Sequence, residues 1–285
     1  MTLVNSTTLI AAAQSTGIGI AAFNVIHLET AEALARAAER SGLPLILQIS
    51  QNCAKYHGGL EPLARATLSI ARKSSASLAV HLDHADDVDL VHEAIALGFG
   101  SVMFDAATLP YADNVAETAA VVAYAHERGV HVEAELGAVG GKDGAHAPGA
   151  RTDPDEAAAF VQETGVDSLA VAVGSSHAMT ERTAQLDLDL IGRLNDSVEV
   201  PLVLHGSSGI ADNNIVRAIG AGMTKINVST QLNKVFTREL RKTLAEQPNM
   251  VDSRKYLQPA QEALSVEAAR LASIFALKSS TNGPQ

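Results

Sequence analysis

The chain has 285 residues, a length that suits one large α/β domain, which commonly runs to about 250. A formal net charge of -11 argues against nucleic-acid or anionic-membrane partners, and no apolar run is long enough to cross a bilayer. Hydrophobic content of 47% with 4% aromatic and no Trp implies a core of Ala, Val, Leu and Ile. Cys53 stands alone, so no intramolecular disulfide forms. With no basic segment leading into an apolar one at the start, a cytoplasmic location is expected.

In chain order, a short helix over 6–15 precedes an apolar strand over 19–25 that ends near Asn24. A helix follows from Glu29, where Glu32 and Arg36 are spaced for a surface pair, until Gly42 stops it. The second strand, 45–50, ends in Ser50 and gives way to a polar loop through Lys55 and Gly58-Gly59, then a helix over 61–73. The third strand delivers His81-Leu82-Asp83-His84, and a helix over 86–97 closes at Gly98. Strand four, 101–105, ends in Asp105. After a helix over 111–128, strand five, 130–135, ends in Glu135.

Residues 137–152 carry Gly137, Gly140, Gly141, Gly144 and Gly149 without helical or strand period, and a mobile active-site loop is expected there. Asp153-Pro154-Asp155-Glu156 is a strong helix start and Gly165 its stop. Strand six, 168–173, runs into Gly174-Ser175-Ser176-His177. A helix over 187–195, strand seven at 201–205, a short helix over 212–219 and strand eight at 224–228 follow. Helices over 231–245 and 260–277 complete the chain before a frayed tail at 279–285. Eight strands alternating with helices predict a single-domain (β/α)8 TIM barrel spanning 1–285, with extra C-terminal helices.

Active sites of such barrels lie at the carboxyl ends of the strands. Here those ends read Asn24, Ser50, Asp83 with His84, Asp105, Glu135, His177, His205 and Asn227. Helix capping accounts for some Ser, Asn and Asp at these places, but His is a poor cap. Three imidazoles from separate strands match a catalytic zinc site with an open position. His81 reads as a supporting group or a satisfied core residue; His27, His57, His92 and His126 read as solvated. The segments 205–209 and 227–230 precede helices and offer backbone N–H groups and hydroxyls to a phosphate, in competition with ordinary capping turns.

His81-Leu82-Asp83-His84, Glu133-Ala134-Glu135-Leu136-Gly137, the 165–172 segment, Leu204-His205-Gly206-Ser207-Ser208-Gly209 and Lys225-Ile226-Asn227-Val228 together resemble the class II, zinc-dependent ketose-bisphosphate aldolases, the fructose- and tagatose-bisphosphate aldolase family. The resemblance implies zinc ligation by His84, His177 and His205. It gives Asp83 the role of acid/base at the aldehyde oxygen and sets Asp105 and Glu135 beside the metal as supporting or alternate ligands. It implies phosphorylated-substrate contacts at Asn24, Ser50, Ala178, Arg182, Gly206, Ser207, Ser208, Asn227, Ser229, Thr230 and, for the distal phosphate, Arg254. Asp143 is the nearest loop carboxylate for the second proton transfer, where the family usually has Glu. Ala178 replaces the usual Gly and Arg182 a common Lys. A monovalent cation (Na+ or K+) and a homodimer or homotetramer are further family traits. The activity implied is reversible cleavage of fructose or tagatose 1,6-bisphosphate into dihydroxyacetone phosphate and an aldehyde phosphate. Alternatives are a phosphorylated keto-sugar acid of polyol catabolism as substrate, a Schiff-base aldolase using Lys225, and a non-catalytic sugar-phosphate binding barrel.

Overall fold

Eight parallel strands close on themselves in sequence order, β1 pairing with both β2 and β8, as the alternation of strand and helix segments requires. A computed structural model describes residues 3–136 and 151–278. The expected centre of the 137–152 loop, Asp143 within it, and the tail at 279–285 lie outside the described residues. The barrel strands are β1 (Ile20–Asn24), β2 (Leu45–Ser50), β3 (Leu78–Ala85), β4 (Ser101–Phe104), β5 (His131–Leu136), β6 (Ser168–Val171), β7 (Leu202–Leu204) and β8 (Met223–Val228). The helices are α1 (Ser6–Thr16), α2 (Leu28–Ser41), α3 (Gln51–Tyr56), α4 (Glu61–Lys73), α5 (Val88–Leu97), α6 (Tyr111–His126), α7 (Pro154–Thr164), α8 (Leu188–Ser197), α9 (Asp212–Gly220), α10 (Thr230–Glu246) and α11 (Ser253–Phe275).

Local signals set most of these bounds. Asp153 caps α7 by accepting from the N–H groups of Asp155 and Glu156, Pro154 opens it, and Gly165 ends it in the left-handed region at φ 70°. Three expectations needed correction. Residues 51–56 form a helical turn, not a loop, because the Ser50 side chain accepts from the Cys53 N–H and starts α3. The last helix begins at Ser253, capped by Asp252, and runs through Pro259; a proline interrupts one hydrogen bond of the ladder without ending a helix held elsewhere by packing. His27, expected in solvent, is half-buried and caps α2, its Nδ1 facing the Thr30 N–H at 3.3 Å.

Side chains alternate across the barrel wall. Phe23, Leu47, Val80, Leu82, Val102, Val132, Leu169, Leu204 and Ile226 join the apolar layer shared with the outer helices. Of the opposite parity, Ile20, Ala22, Ile46 and Ala79 pack with Leu9, Ile10 and Ala13 of α1, which closes the amino-terminal end. Above them the interior turns polar: Gln48, His81, Ser101, His131, Glu133, Ser168 and Lys225 are all buried. Ser6 of α1 reaches this layer through Ser101 Oγ at 2.6 Å.

Replacing Asp153 by Ala removes the α7 cap and is expected to cost about 1 kcal/mol, read as a lower urea midpoint; an unchanged midpoint contradicts the capping role.

Candidate active site

In a regular strand, neighbours point to opposite sides, so Asp83 and His84 are not expected to share the barrel mouth. The structure shows why they do. Between β3 and β4 the register runs His81 to Ser101, Leu82 to Val102, then Ala85 to Phe104, so Asp83 and His84 oppose Met103 alone. This is a bulge, and His84 accommodates it with φ at 49°, a conformation that non-glycine residues seldom adopt.

The bulge brings His84 against His177 and His205, with ring centroids 5.0 and 4.5 Å away; His177 and His205 lie 5.6 Å apart. One ligating atom from each of these rings and one from Glu135 all lie within 4.8 Å of one another. Two rings are held from behind by carboxylates. His84 Nδ1 meets Asp105 Oδ2 at 2.8 Å, and His205 Nε2 meets Glu133 Oε1 at 3.1 Å. A carboxylate accepts, so each of those nitrogens donates, and the opposite nitrogen is the one left to ligate an ion in the cluster.

The donor set fits a divalent ion. His205 Nδ1 is buried, makes no hydrogen bond among the described residues, and lies 3.3 Å from Glu135 Oε2. Burial disfavours a charged His205, but Glu133 and Glu135 outweigh it and raise the imidazole to about 9, so without an ion Nδ1 carries a proton that a bound cation would replace. Three imidazoles with an adjacent carboxylate form a ligand set suited to zinc and similar metals.

Asp83 is 3% exposed, and its Oδ2 accepts from Asn24 Nδ2 at 3.0 Å. Gln48 Nε2 donates to Asn24 Oδ1 at 2.9 Å, which fixes the amide so that its NH2 faces Asp83. Burial pushes the Asp83 carboxyl up, but His84, His205, Lys225 and His81 together hold it down to about 2. It is therefore ionised at neutral pH.

The remaining expected residues divide. Asn227 is buried, and neither atom of its amide is hydrogen-bonded among the described residues, as suits a group waiting for a ligand. Gly206 has φ at 68°, and a Cβ there would stand 2.5 Å from the Ser176 carbonyl oxygen, so only glycine fits. The hydroxyls of Ser207 and Ser208 already have structural partners: Ser207 donates to the Leu204 carbonyl, and Ser208 Oγ accepts from the Gln231 N–H inside α10. Ser229 and Thr230 form the start of α10. Ser50 caps α3. Arg182 pairs with Asp212, which also binds Arg270 at 2.7 Å. Arg254 pairs with its own neighbour Asp252 at 3.0 Å, its side chain 89% exposed, and no bond joins it to the mouth among the described residues.

Sequence reasoning missed Glu133 as a site residue. Its parity with Glu135 on strand five was the available signal, since residues two apart share a face. Lys225, weighed as a Schiff-base nucleophile, is fully buried with its ammonium 2.7 Å from Glu133 Oε2. His81 is a satisfied core residue, bonded to Ser101 Oγ at 2.8 Å. Burial and the neighbouring Lys225 ammonium push its imidazole down to about 3, so it is neutral. Thr152 pins the far end of the expected mobile segment by bonding the Leu136 carbonyl through its hydroxyl and the Ala172 carbonyl through its N–H.

Ala178 follows His177 with φ at 58°. An L-residue pays about 1–2 kcal/mol to adopt that conformation. Ala178→Gly is expected to raise stability by about 0.5–1 kcal/mol after the greater chain freedom of unfolded glycine is counted; denaturant titration showing a loss contradicts this.

The sequence matches the family described as "Fructose-bisphosphate aldolase class-II" over residues 4–280. It is 39% identical over 268 residues to a "Probable fructose-bisphosphate aldolase" of Bacillus subtilis, covering 93% of this chain and 94% of that one. A fructose-bisphosphate aldolase of Geobacillus stearothermophilus is 38% identical over 268 residues, with 93% of each covered. Among solved structures, the YdjI aldolase of Escherichia coli K12 superposes with a TM-score of 0.81 at 31% identity, covering 96% of this chain and 97% of that one. The barrel, the histidine cluster at its mouth and these likenesses agree, and the chain belongs to the class II fructose-bisphosphate aldolase family.

Proposed function

We propose that the protein is a zinc-dependent aldolase that cleaves a ketose 1,6-bisphosphate, fructose or tagatose, reversibly into dihydroxyacetone phosphate and an aldehyde phosphate. The observation that carries this reading is the convergence of His84, His177 and His205 beside the ionised Asp83. His84, His177 and His205 would hold the ion, with Glu135 as an adjoining or alternate ligand. A bound divalent ion supplies Lewis-acid stabilisation of the enediolate charge left when the C3–C4 bond breaks.

The chain's own residues supply the rest. Asp83 takes the C4 hydroxyl proton during cleavage and returns it during condensation. The line from Gln48 through Asn24 aims its carboxylate, so the proton acceptor is oriented before substrate arrives. Asn227, Gly206 and the start of α10 at Ser229 and Thr230 are the proposed seat of the phosphate nearer the metal, where the unbonded Asn227 amide and the close Gly206 backbone support the reading. For Ser207 and Ser208, whose hydroxyls are engaged, backbone N–H groups would make the contact. Arg182 and Arg254 would have to exchange their Asp212 and Asp252 partners to reach a distal phosphate. Asp143 remains the proposed loop acid/base for the triose C3 proton.

A Schiff-base route through Lys225 is disfavoured, because such chemistry needs an accessible, neutral amine and this one is sealed in an ion pair.

Three outcomes are expected on a panel of phosphorylated ketoses assayed together with metal analysis. Cleavage of fructose or tagatose 1,6-bisphosphate is lost with EDTA and restored by zinc, and His205→Ala loses both ion and turnover. Asp83→Asn keeps the ion but lowers kcat by roughly 10²–10⁴-fold. EDTA-resistant turnover sinks the metal mechanism, and ion-free protein inert to the whole panel favours a binding barrel.

A further inference from the structure

Beneath the histidine cluster lies a buried ammonium whose surroundings the aldolase chemistry leaves unexplained. Lys225, from the middle of β8, is fully buried, as are Glu133 from β5 and His205 from β7. Its Nζ stands 2.7 Å from Glu133 Oε2, and Glu133 Oε1 stands 3.1 Å from His205 Nε2. On its other side Nζ lies 3.5 Å from His81 Nε2, and His81 Nδ1 continues to Ser101 Oγ at 2.8 Å. Removing an ammonium from water is expensive and is sustained only where partners are close and well aligned.

We propose that Lys225 is a positioning residue for the metal centre, acting through Glu133 to set which nitrogen of His205 faces the ion. A carboxylate offers two oxygens, and its plane is fixed once one of them is committed. The Lys225 ammonium takes Oε2. Oε1 is thereby presented to His205 Nε2, which must donate to it, and the ring is held with Nδ1 turned toward His84, His177 and Glu135. Lysine suits this task better than a neutral donor, since three N–H bonds let it grip Glu133 while also donating to His81. His81 in turn accepts at Nε2 and donates to Ser101, so the ammonium is held from below and cannot swing away. Without Lys225, Glu133 Oε2 loses its partner in a site closed to water, and nothing fixes the rotation of the carboxylate behind His205.

This inference rests on the proposed metal site, and one experiment separates the two. Zinc affinity is measured by chelator competition, and the visible spectrum of the cobalt-substituted protein is recorded, for wild type, Lys225→Met and Lys225→Arg, with near-UV circular dichroism as the check on folding. Outer partners of metal ligands typically change affinity 10–100-fold. Lys225→Met is expected to weaken zinc binding by about tenfold or more and to shift the cobalt bands while the fold is kept; Lys225→Arg should recover part of both. Wild type that binds neither ion overturns the metal site itself. Wild type that binds, with a Lys225→Met protein of equal affinity and unaltered cobalt spectrum, overturns only the role of Lys225. Should Lys225→Met fail to fold, Glu133→Gln and Lys225→Arg decide: wild-type affinity and spectrum in both contradict the proposal.

Discussion

Glu133 places a carboxylate at the centre of the barrel, where water does not reach it, and the upper half of the molecule is built around satisfying that charge. Burial alone would favour the neutral acid, but Lys225 and His205 hold its carboxyl well below the usual range. Removing either cationic partner would leave an uncompensated buried charge, a change that in other proteins costs about 3–5 kcal/mol. Many barrels of this kind fill their interior with branched apolar side chains. This one is apolar at the end closed by α1 and in a small separate cluster of Met103, Ala170 and Val203, but it also carries a connected polar column from Ser6 through Ser101 and His81 to Lys225 and Glu133. The column trades packing energy for fixed orientation, and the orientation it fixes is that of a histidine at the mouth.

A second constraint acts at the rim. Asp83 and His84 are adjacent, yet the proposed chemistry needs both in one place, and a flat strand cannot provide that. The bulge opposite Met103 and the left-handed backbone of His84 solve it at the expense of local strain. Ala178, beside His177, carries the same unusual backbone, so two of the three histidine-bearing turns are held in conformations that their sequences alone would not choose. Strain of this kind persists only where surrounding structure over-determines it. Here the Asp105 bond to His84 and the closed barrel wall supply that support.

Much of this was readable from the chain. Period-two and helical patterns located the strands and most helices, because the outward faces of the strands are largely apolar and the helix ends carry Asp153, Gly42 or Gly165 as chemical markers. The polar residue at each strand end pointed to the mouth. What escaped depended on three-dimensional partners. Glu133 looked like an ordinary strand residue until Lys225 and His205 appeared beside it from β8 and β7. The bulge has no signature in His-Leu-Asp-His. The last helix was expected from 260, but packing of α11 on α2 and α10 carries it from Ser253 through Pro259. The hydroxyls of Ser207 and Ser208 read as ligand donors, but the turn and α10 use them first.

The acidic character of the protein and the anionic character of its proposed substrate are reconciled by the same arrangement. Asp83, Asp105, Glu133 and Glu135 crowd four carboxylates around three imidazoles, a field that repels a free phosphate ester and attracts a cation. Held by His84, His177 and His205, a divalent cation would supply the positive charge that these carboxylates otherwise deny to an anionic substrate. The central claim is the identity of the ligating atoms. Anomalous diffraction at the zinc edge from zinc-loaded crystals tests it most directly. The arrangement predicts one peak about 2.0–2.1 Å from His177, from His84 Nε2 and from His205 Nδ1, the usual zinc–nitrogen distance. A peak that lies away from these three rings, or that contacts His205 through Nε2, would contradict it.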